Sequence, residues 1–384
     1  MWPKLKLLST AVWLLIFTPD ILRAADGDYP SVPLLQVGNM IEVPVTAFHQ
    51  TLYFVIDTGF AISAMDARYA PHLGDPLTTF TAVSPLGTKK NVPIYHGPEM
   101  VLAGRPLALE KIAVLDLKML RLITGQPCDG VLGMDWFARN VVTIDFDHKT
   151  FTVTAGPQKN MGPTMVAVPL KPANGFYNVK ARVNGDKMLD LMIDTGDNSS
   201  LSLNQEDWQE VFSTQQTRTV TATVADAVNQ VAQTRIGVVG RVAIQGLQYT
   251  NLHAMYILSP DQPSRLGLGF FQRHLVTFDF ARRRLYLQPG QNYTTPDLED
   301  MSGLHLLRDG ALTTVYSVDS DSPASAAGIT AHDTIETINR QPAASLTIQS
   351  IRQIFRSGDG DAVALQLRRE GRLLAVRMVL KKNL

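Results

Sequence analysis

Two copies of the tripeptide Asp-Thr-Gly are the residues in this sequence whose types could do chemistry together. They occupy residues 57–59 and 194–196, and each follows an apolar run that ends in isoleucine. Two carboxyl groups about 3 Å apart cannot both ionise, so Asp57 and Asp194 would share one proton if folding joined them. The ionised group would take a proton from water while the protonated group hydrogen-bonds a peptide carbonyl oxygen. This pair therefore predicts hydrolysis of a peptide bond without a metal or a covalent intermediate.

The other residues of each triplet suit a sharp turn beside a second chain segment. Gly59 and Gly196 let the backbone turn tightly and let another segment approach closely. We expect the hydroxyl groups of Thr58 and Thr195 to hydrogen-bond across to the opposite copy. The two copies are equivalent in sequence, so either aspartate could be the general base.

A longer duplication supports this prediction. The second triplet follows the first by 137 residues (194 − 57), and residues 267–280 repeat residues 133–146 at an interval of 134 (267 − 133). Aspartate beside glycine is often only a turn cap, which is the alternative for either triplet alone. Two landmarks at nearly equal offsets instead indicate two lobes with one plan.

The elements that must position these turns are short β-strands. Runs rich in Val, Ile, Phe, Tyr and Thr recur between Gly, Pro, Asn and Asp, which is typical of strands. Residues 145–153 and 279–287 each predict a hairpin, and residues 204–212 carry the best helical pattern in the two lobes. Residues 156–163 and 289–300 are rich in turn-forming residues and predict linkers.

Residues 33–290 resemble the pepsin and retroviral-protease group of aspartic proteases. The resemblance rests on the two triplets and on later apolar-apolar-Gly segments at residues 131–133 and 266–269. It implies a mainly β, bilobal pepsin/retropepsin-like fold with lobes at residues 33–155 and 164–290. It also implies an aspartic-type endopeptidase that holds an extended polypeptide in the cleft between the lobes, beneath a hairpin flap.

Two positions depart from that group's pattern, and no motif marks the flap. Phe60 and Asp197 follow the triplets, where the group usually has Ser, Thr or Ala. Phe60 would shape a substrate pocket or fill the core, and Asp197 would raise the apparent pKa of the aspartate pair if it pointed inward. Residues 80–95 and 219–237 are the candidate flap hairpins, and Tyr95 is either a flap tyrosine or a structural residue.

Residues 302–384 resemble PDZ domains of the bacterial protease type. The resemblance rests on Ser-Pro-Ala through Ala-Gly-Ile at residues 322–329, His-Asp-Thr-Ile at residues 332–335, and the Asn-Arg-Gln turn at residues 339–341. Strands and short helices alternate in this segment. It is predicted to be a small α+β module that differs in plan from the lobes.

The resemblance implies a peptide-binding groove in this module. Such domains add a peptide strand to a sheet edge and bind its C-terminal carboxylate with backbone N–H groups. Gly303, Leu304 and His305 loosely match the carboxylate-binding loop, and Ile351 is expected to line the groove from the following helix. The module would then recruit substrates or gate the cleft. The alternative is a PDZ fold that only packs on the protease, with its groove blocked.

Composition argues against several other classes of function. The chain has 35 Lys+Arg and 35 Asp+Glu, so no basic surface is predicted for nucleic acid. Cys128 is the only cysteine, which rules out an intramolecular disulfide and a multi-cysteine metal site. The histidines have no metal-binding spacing. We expect no metal, no cofactor, and a monomer, because both triplets lie in one chain.

Residues 1–25 have the layout of a secretory signal peptide. Lys4 and Lys6 precede a mostly apolar stretch at residues 7–17, and the small residues Ala24 and Ala25 follow. The stretch is shorter than the roughly 20 residues that span a bilayer. We expect an exported protein that is periplasmic or extracellular. An uncleaved N-terminal membrane anchor is the alternative.

The sequence thus supports two functions of different classes. The first is an exported endopeptidase that acts through Asp57 and Asp194, cleaving either broadly or one dedicated protein, with a PDZ domain that recruits or gates its substrates. The second is a catalytically silent peptide-binding scaffold that acts through the PDZ domain. Both triplets are intact, which favours the enzyme because loss of either aspartate would abolish the shared proton.

Overall fold

A computed structural model of the chain describes residues 30–37, 40–83, 87–154, 164–212, 219–225, 231–298 and 300–382. The predicted signal peptide, the predicted linker at residues 156–163 and parts of both candidate flap hairpins lie outside these ranges. Within these ranges, every helix is too short or too polar to cross a membrane.

The first lobe is built from short strands with two brief helices. Its strands are β1 (Val32–Pro33), β2 (Leu35–Val37), β3 (Met40–Ala47), β4 (Gln50–Ile56), β5 (Ala64–Asp66), β6 (Thr78–Val83), β7 (Lys89–His96), β8 (Met100–Leu102), β9 (Arg105–Pro106), β10 (Lys111–Leu115), β11 (Gly130–Leu132), β12 (Val141–Asp145) and β13 (Thr150–Thr154). Its helices are α1 (Lys118–Thr124), α2 (Met134–Phe137) and a 3-10 turn (Ala67–His72).

The second lobe repeats this construction. Its strands are β14 (Val166–Pro169), β15 (Lys171–Ala173), β16 (Phe176–Val183), β17 (Lys187–Asp194), β18 (Leu201–Leu203), β19 (Thr219–Ala225), β20 (Val231–Ile244), β21 (Leu247–Tyr256), β22 (Arg265–Gly267), β23 (His274–Asp279) and β24 (Arg284–Pro289). Its helices are α3 (Gln205–Phe212) and α4 (Leu268–Phe271). The two hairpins and the helix predicted at residues 145–153, 279–287 and 204–212 are confirmed.

The C-terminal module has a separate plan. Its strands are β25 (Leu304–Asp309), β26 (Leu312–Val318), β27 (Thr334–Ile338), β28 (Gln341–Pro342), β29 (Ala362–Arg369) and β30 (Arg372–Val379). Its helices are α5 (Pro323–Ala326), α6 (Ile348–Ile354) and a 3-10 turn (Ala343–Ser345). The sheet runs β25-β26-β27-β29-β30, so β25 is an edge strand.

The two lobes share one local topology around the triplets. In the first lobe, β11 pairs in parallel with β4 and antiparallel with β5. In the second lobe, β22 pairs in parallel with β17 and antiparallel with β18. The strand that delivers each triplet therefore has a parallel neighbour, and the duplication predicted from the sequence is a structural one.

A sheet built from both lobes joins them. Its order is β1-β13-β12-β23-β24-β14, and the central pair β12 and β23 crosses from one lobe to the other. Thr143 faces Thr277 in this pair, and their hydroxyl oxygens are 2.8 Å apart. One hydrophobic core extends through both lobes, whereas the C-terminal module has a core of its own.

Candidate active site

Each triplet lies at the end of a buried strand. Ile56 and Ile193 are fully buried apolar residues that precede the two aspartates. Such β-branched residues suit a strand that is covered on both faces. The backbone N–H of Asp57 donates to the carbonyl of Leu132 at 3.1 Å, so β11 fixes the point where β4 ends. The two aspartates are thus presented by rigid strands rather than by loops.

Reciprocal hydrogen bonds hold the two turns against each other. The Thr58 N–H donates to Thr195 Oγ1 at 3.0 Å, and the Thr195 N–H donates to Thr58 Oγ1 at 3.1 Å. The Thr58 hydroxyl donates to the carbonyl of Ile193 at 3.1 Å, and the Thr195 hydroxyl donates to that of Ile56 at 2.9 Å. These are the cross-lobe hydroxyl contacts expected from the sequence.

The two carboxyl groups meet over the glycines of the triplets. A Cβ on Gly59 would lie 2.3 Å from Asp194 Cγ, and a Cβ on Gly196 would lie 2.3 Å from Asp57 Cγ. Each carboxylate also accepts the N–H of its own glycine, at 2.9 Å for Asp57 and 3.0 Å for Asp194. Each carboxyl group therefore lies directly over the glycine of the other triplet. Only glycine leaves room for this arrangement, which we call the aspartate dyad.

The environment favours one shared proton on the dyad. Burial, followed by the nearby charge of Asp194, raises the pKa of Asp57 well above its ordinary value. Burial also raises the pKa of Asp194, but the guanidinium of Arg265 opposes that rise. Two neighbouring acids that resist ionisation titrate as a coupled pair. The dyad can therefore offer both a proton donor and a proton acceptor.

Sequence reasoning missed Arg265, which lies beside the dyad. Its side chain is buried, its Nε is 3.4 Å from Asp194 Oδ2, and its Nη1 is 3.9 Å from Asp197 Oδ2. Asp197 is buried too and points inward, and its charge raises the pKa of Asp194. The signal that could have found Arg265 is its alignment with Val131 in the duplication.

A cavity of about 1580 Å³ contains the dyad in its lining. On the first-lobe side, Phe60, Ile62 and Phe80 line this cavity and pack on an apolar cluster beneath them. Phe60 therefore shapes the cleft wall. The same cavity continues to Leu304 and His305 of the C-terminal module.

Tyr95 lies away from the dyad. It sits on β7 opposite Ile112 of β10 and packs, half-buried, against the hydrophobic core of the lobes. It does not line the dyad cavity among the described residues, whereas Phe80 on β6, the other strand of that hairpin, does. This placement matches the structural role for Tyr95 rather than the flap role.

The predicted peptide-binding residues of the C-terminal module divide into two sets. Gly303, Leu304 and His305 line the cavity. Ile351 is completely buried in the core of the module, so the expectation that it lines the groove is wrong. Helical periodicity explains the error, because Ile351 shares the inward face of α6 with Ile348. The residues of α6 that line the cavity are Gln349, Arg352 and Gln353, with Arg356 just beyond its end.

Helix α1 of the first lobe packs against both β25 and α6. Gly125, at the end of α1, is so close to the module that a Cβ there would lie 2.8 Å from Arg308 Cγ and 3.4 Å from Ile348 Cγ1. Strand β25 and helix α6 are the two elements expected to form the walls of a peptide groove. The first lobe thus abuts that groove.

The segment between the second lobe and the module is fastened near the dyad. Asp297 accepts hydrogen bonds from Arg273 Nη2 at 2.6 Å, from Ser200 Oγ at 2.8 Å and from the His253 N–H at 2.7 Å. Ser200 follows the second triplet by only a few residues. The position of the module is therefore linked to the loop that carries Asp194.

Comparisons with known proteins agree with these two parts of the chain. Residues 179–270 match a family model described as aspartyl protease, and residues 297–380 match one described as PDZ domain. No curated protein matches the chain. Among solved structures, basic 7S globulin from soybean is 13% identical, with 68% of this chain and 94% of that chain covered and a TM-score of 0.43. The structure is thus mainly β and bilobal with an aspartic-protease-like fold, its second lobe matches the aspartyl protease model, and its C-terminal module matches the PDZ domain model.

Proposed function

We propose that the chain is an aspartic endopeptidase that hydrolyses peptide bonds with a water molecule activated between Asp57 and Asp194. One observation supports this above all: two triplets far apart in sequence meet so closely that each carboxyl group contacts the glycine of the other triplet. Residues 59 and 196 leave no room for a side chain, so the two carboxyl groups are close enough to act as proton acceptor and proton donor in one reaction.

The reaction follows from the shared proton. The ionised carboxylate takes a proton from water as the water oxygen bonds to the peptide carbonyl carbon, and the protonated carboxyl gives its proton to the carbonyl oxygen. The resulting diol is neutral. It collapses when the first carboxyl protonates the leaving nitrogen and the second recovers a proton from a diol hydroxyl, so that the C–N bond breaks. The dyad ends with the proton count with which it began.

Removal of either acid tests the proposal. Asp57→Asn and Asp194→Asn should each reduce cleavage of an unfolded protein at mildly acidic pH by at least about 100-fold, because one proton-transfer group is lost. Asp186→Asn, in the exposed turn between β16 and β17, is the matched control and should cleave at the wild-type rate. Circular dichroism verifies that the variants fold. Cleavage that persists in both dyad variants would reject the enzyme.

The first-lobe side of the cleft favours an apolar substrate side chain. Phe60, Ile62 and Phe80 present apolar surface there, whereas Asp197 and Arg265 occupy the corresponding side of the second lobe. A digest of a peptide library should therefore show an apolar preference on one side of the cleaved bond, and Phe60→Ser should weaken it. An unchanged preference in Phe60→Ser would contradict this assignment.

The PDZ domain gates the cleft. The contact of α1 with β25 and α6 supports gating over simple recruitment, because a peptide added to the edge of β25 would compete with the protease lobe. A peptide with a free C-terminal carboxylate should displace this contact and change the rate of cleavage of a second substrate. The same peptide with an amidated C-terminus is the control.

A variant that loosens the docking tests the gate. Gly125 has a φ of 67°, a backbone conformation that asparagine tolerates. A side chain at this position would clash with Arg308. Arg308 is fixed by hydrogen bonds to the carbonyls of Ala343 and Leu346, so it cannot move aside easily. Gly125→Asn should make cleavage insensitive to the C-terminal peptide. The matched control is Gly74→Asn, at a φ of 75° with open space around it. If wild type ignores the peptide and Gly125→Asn cleaves like wild type, the domain only packs on the protease.

The chain is exported and acts as a monomer. Residues 1–25 support export by their layout, and the presence of both triplets in one chain supports a monomer. Mass spectrometry of protein recovered from a bacterial host should give a chain that begins after residue 25. A full-length chain that remains with the membrane fraction would support the uncleaved anchor instead. Light scattering should give the mass of one chain.

A further inference from the structure

The two lobes differ at one pair of equivalent positions beside the dyad. Val131 on β11 faces Val55, and Arg265 on β22 faces Met192, which are matching registers in the duplicated sheets. Phe60 and Asp197 are equivalent as well, since the N–H of each donates to the carbonyl of its triplet aspartate at 3.3 Å. The second lobe thus has a charged pair where the first lobe has an apolar pair.

The charged pair lies closest to Asp194, and the guanidinium of Arg265 opposes the rise in the pKa of Asp57 only as the smallest of the effects on that residue. Arg265 Nε lies 3.4 Å from Asp194 Oδ2, and no cation lies within 4.0 Å of the Asp57 carboxylate among the described residues. Neither Arg265 Nε nor Asp197 Oδ2 makes a hydrogen bond within that part of the chain. Arg265 Nη2 donates to Gln262 Oε1 at 2.6 Å, which fixes the guanidinium. A buried cation that is fixed beside one of two equivalent acids makes those acids unequal.

We infer that Arg265, held between Asp194 and Asp197, is a positioning residue that keeps the negative charge of the dyad on Asp194 and the shared proton on Asp57. This assignment rests on the proposed function and resolves an equivalence that the two triplets alone leave open. Asp194 is then the general base and Asp57 the general acid.

The assignment gives each proton a route. Asp194 takes a proton from water as the water oxygen bonds to the carbonyl carbon, and Asp57 donates its proton to the carbonyl oxygen. The diol has then formed, with Asp194 protonated and Asp57 ionised. Asp194 passes its proton to the leaving nitrogen, Asp57 takes one from a diol hydroxyl, and the C–N bond breaks. Arg265 exchanges no proton.

The pH profile of kcat/KM tests the assignment. The charged groups that face Asp194 are Asp57 from the first lobe, Arg265 on β22 and Asp197 in its own turn. Arg265→Met should move the acidic limb of the profile to higher pH by about 1–3 units, because the ionised carboxylate loses its cation. Asp197→Asn should move the same limb to lower pH, because a nearby negative charge is lost.

Two further variants separate this role from a structural one. Arg265→Lys keeps the charge and should restore most of the shift. Arg282→Met removes another paired arginine of the same lobe, which contacts the buried Asp279 and is not part of the cavity lining in the described part of the chain, and should leave the acidic limb in place. An acidic limb that stays in place in Arg265→Met, or that fails to fall in Asp197→Asn, overturns the inference. If Arg265→Met does not fold, Asp197→Asn decides alone.

A second measurement does not depend on activity. ¹³C NMR of aspartate-labelled protein, with the dyad signals assigned from Asp57→Asn and Asp194→Asn, reports the lower apparent pKa of the dyad. That pKa should rise in Arg265→Met and fall in Asp197→Asn. A wild-type protein that cleaves nothing yet shows these shifts would reject the proposed function and retain the charge assignment. Absent shifts in a cleaving protein would reject the assignment alone.

Discussion

Replacement of Thr58 by valine keeps the shape of the side chain and removes the hydroxyl that joins the two turns. The variant loses the hydrogen bond from Thr58 Oγ1 to the carbonyl of Ile193 and the one that Thr58 Oγ1 accepts from the Thr195 N–H. Thr58 and Thr195 are each only 1% exposed, so water cannot replace the lost partner of that N–H.

The expected loss in the free energy of unfolding follows from the two lost hydrogen bonds and the one N–H left without a partner. A buried hydrogen bond contributes about 1 kcal/mol net, and a buried donor left without a partner costs about 1–3 kcal/mol. Thr58→Val should therefore lower the free energy of unfolding by roughly 2–4 kcal/mol. Thr58→Ser keeps the oxygen, loses one methyl group, and should cost only about 1 kcal/mol. The valine variant should also lose kcat/KM, since the turns that carry the dyad are no longer held in register.

Tryptophan fluorescence during urea unfolding measures this cost in the correct part of the chain. Trp136 and Trp208 are buried in the two protease lobes, and residues 302–384 contain no tryptophan. The signal therefore follows the lobes and is not confused by separate unfolding of the PDZ domain. If Thr58→Val is as stable as Thr58→Ser, the cross-lobe hydrogen bonds do not hold the turns together.

Glu42, Gly196 and Cys128 offer three separate tests of the lobes. Burial raises the pKa of Glu42 from 4.5 to about 7, so the unfolded chain loses this proton at lower pH than the folded chain does, and the free energy of unfolding falls as pH rises from 4.5 to 7. Glu42→Gln should therefore be more stable than wild type by up to about 3 kcal/mol above pH 7. Near pH 4 the two proteins should be equally stable, and urea unfolding at both pH values measures the difference. Gly196→Ala should lower kcat/KM by at least about 100-fold, because its Cβ would displace the Asp57 carboxyl, whereas Gly240→Ala, whose nearest contact is 3.6 Å away, should not. Cys128 is completely buried, and burial raises the pKa of its thiol, so thiol reagents should neither label the folded protein nor inhibit cleavage.

Repetition made the fold and the centre of the site predictable from the sequence. Two Asp-Thr-Gly triplets at the ends of apolar strands specify two like turns, and the threonines and glycines have properties that such turns require when they meet. The hairpins at residues 145–153 and 279–287 were predictable from local sequence, because runs of strand-forming residues flank turn-forming residues in both segments. In these elements the local strand and turn signals predict the same structure as the internal duplication of the sequence does.

Other features depend on packing between distant segments. Helix α1 has a short and weak pattern, and nothing local indicates that it packs on β25 and α6. Arg265 lies beside Asp197 although it follows it by 68 positions (265 − 197), so no local pattern brings the two together. Helical periodicity alone places Ile351 in the core with Ile348, whereas the expectation of a groove position rested on the family resemblance.

The sheet shared by the two lobes bears on what an incomplete chain would do. Strand β12 finds its inner partner, β23, in the second lobe, and the five residues of β12 pair with it from Val141–Asp279 to Asp145–Leu275. A polypeptide truncated after the first lobe would leave that edge of β12 with unsatisfied backbone donors and acceptors, which is a template for pairing with other chains. Premature termination after the first lobe would therefore release a fragment that is prone to aggregate through the unpaired edge of β12.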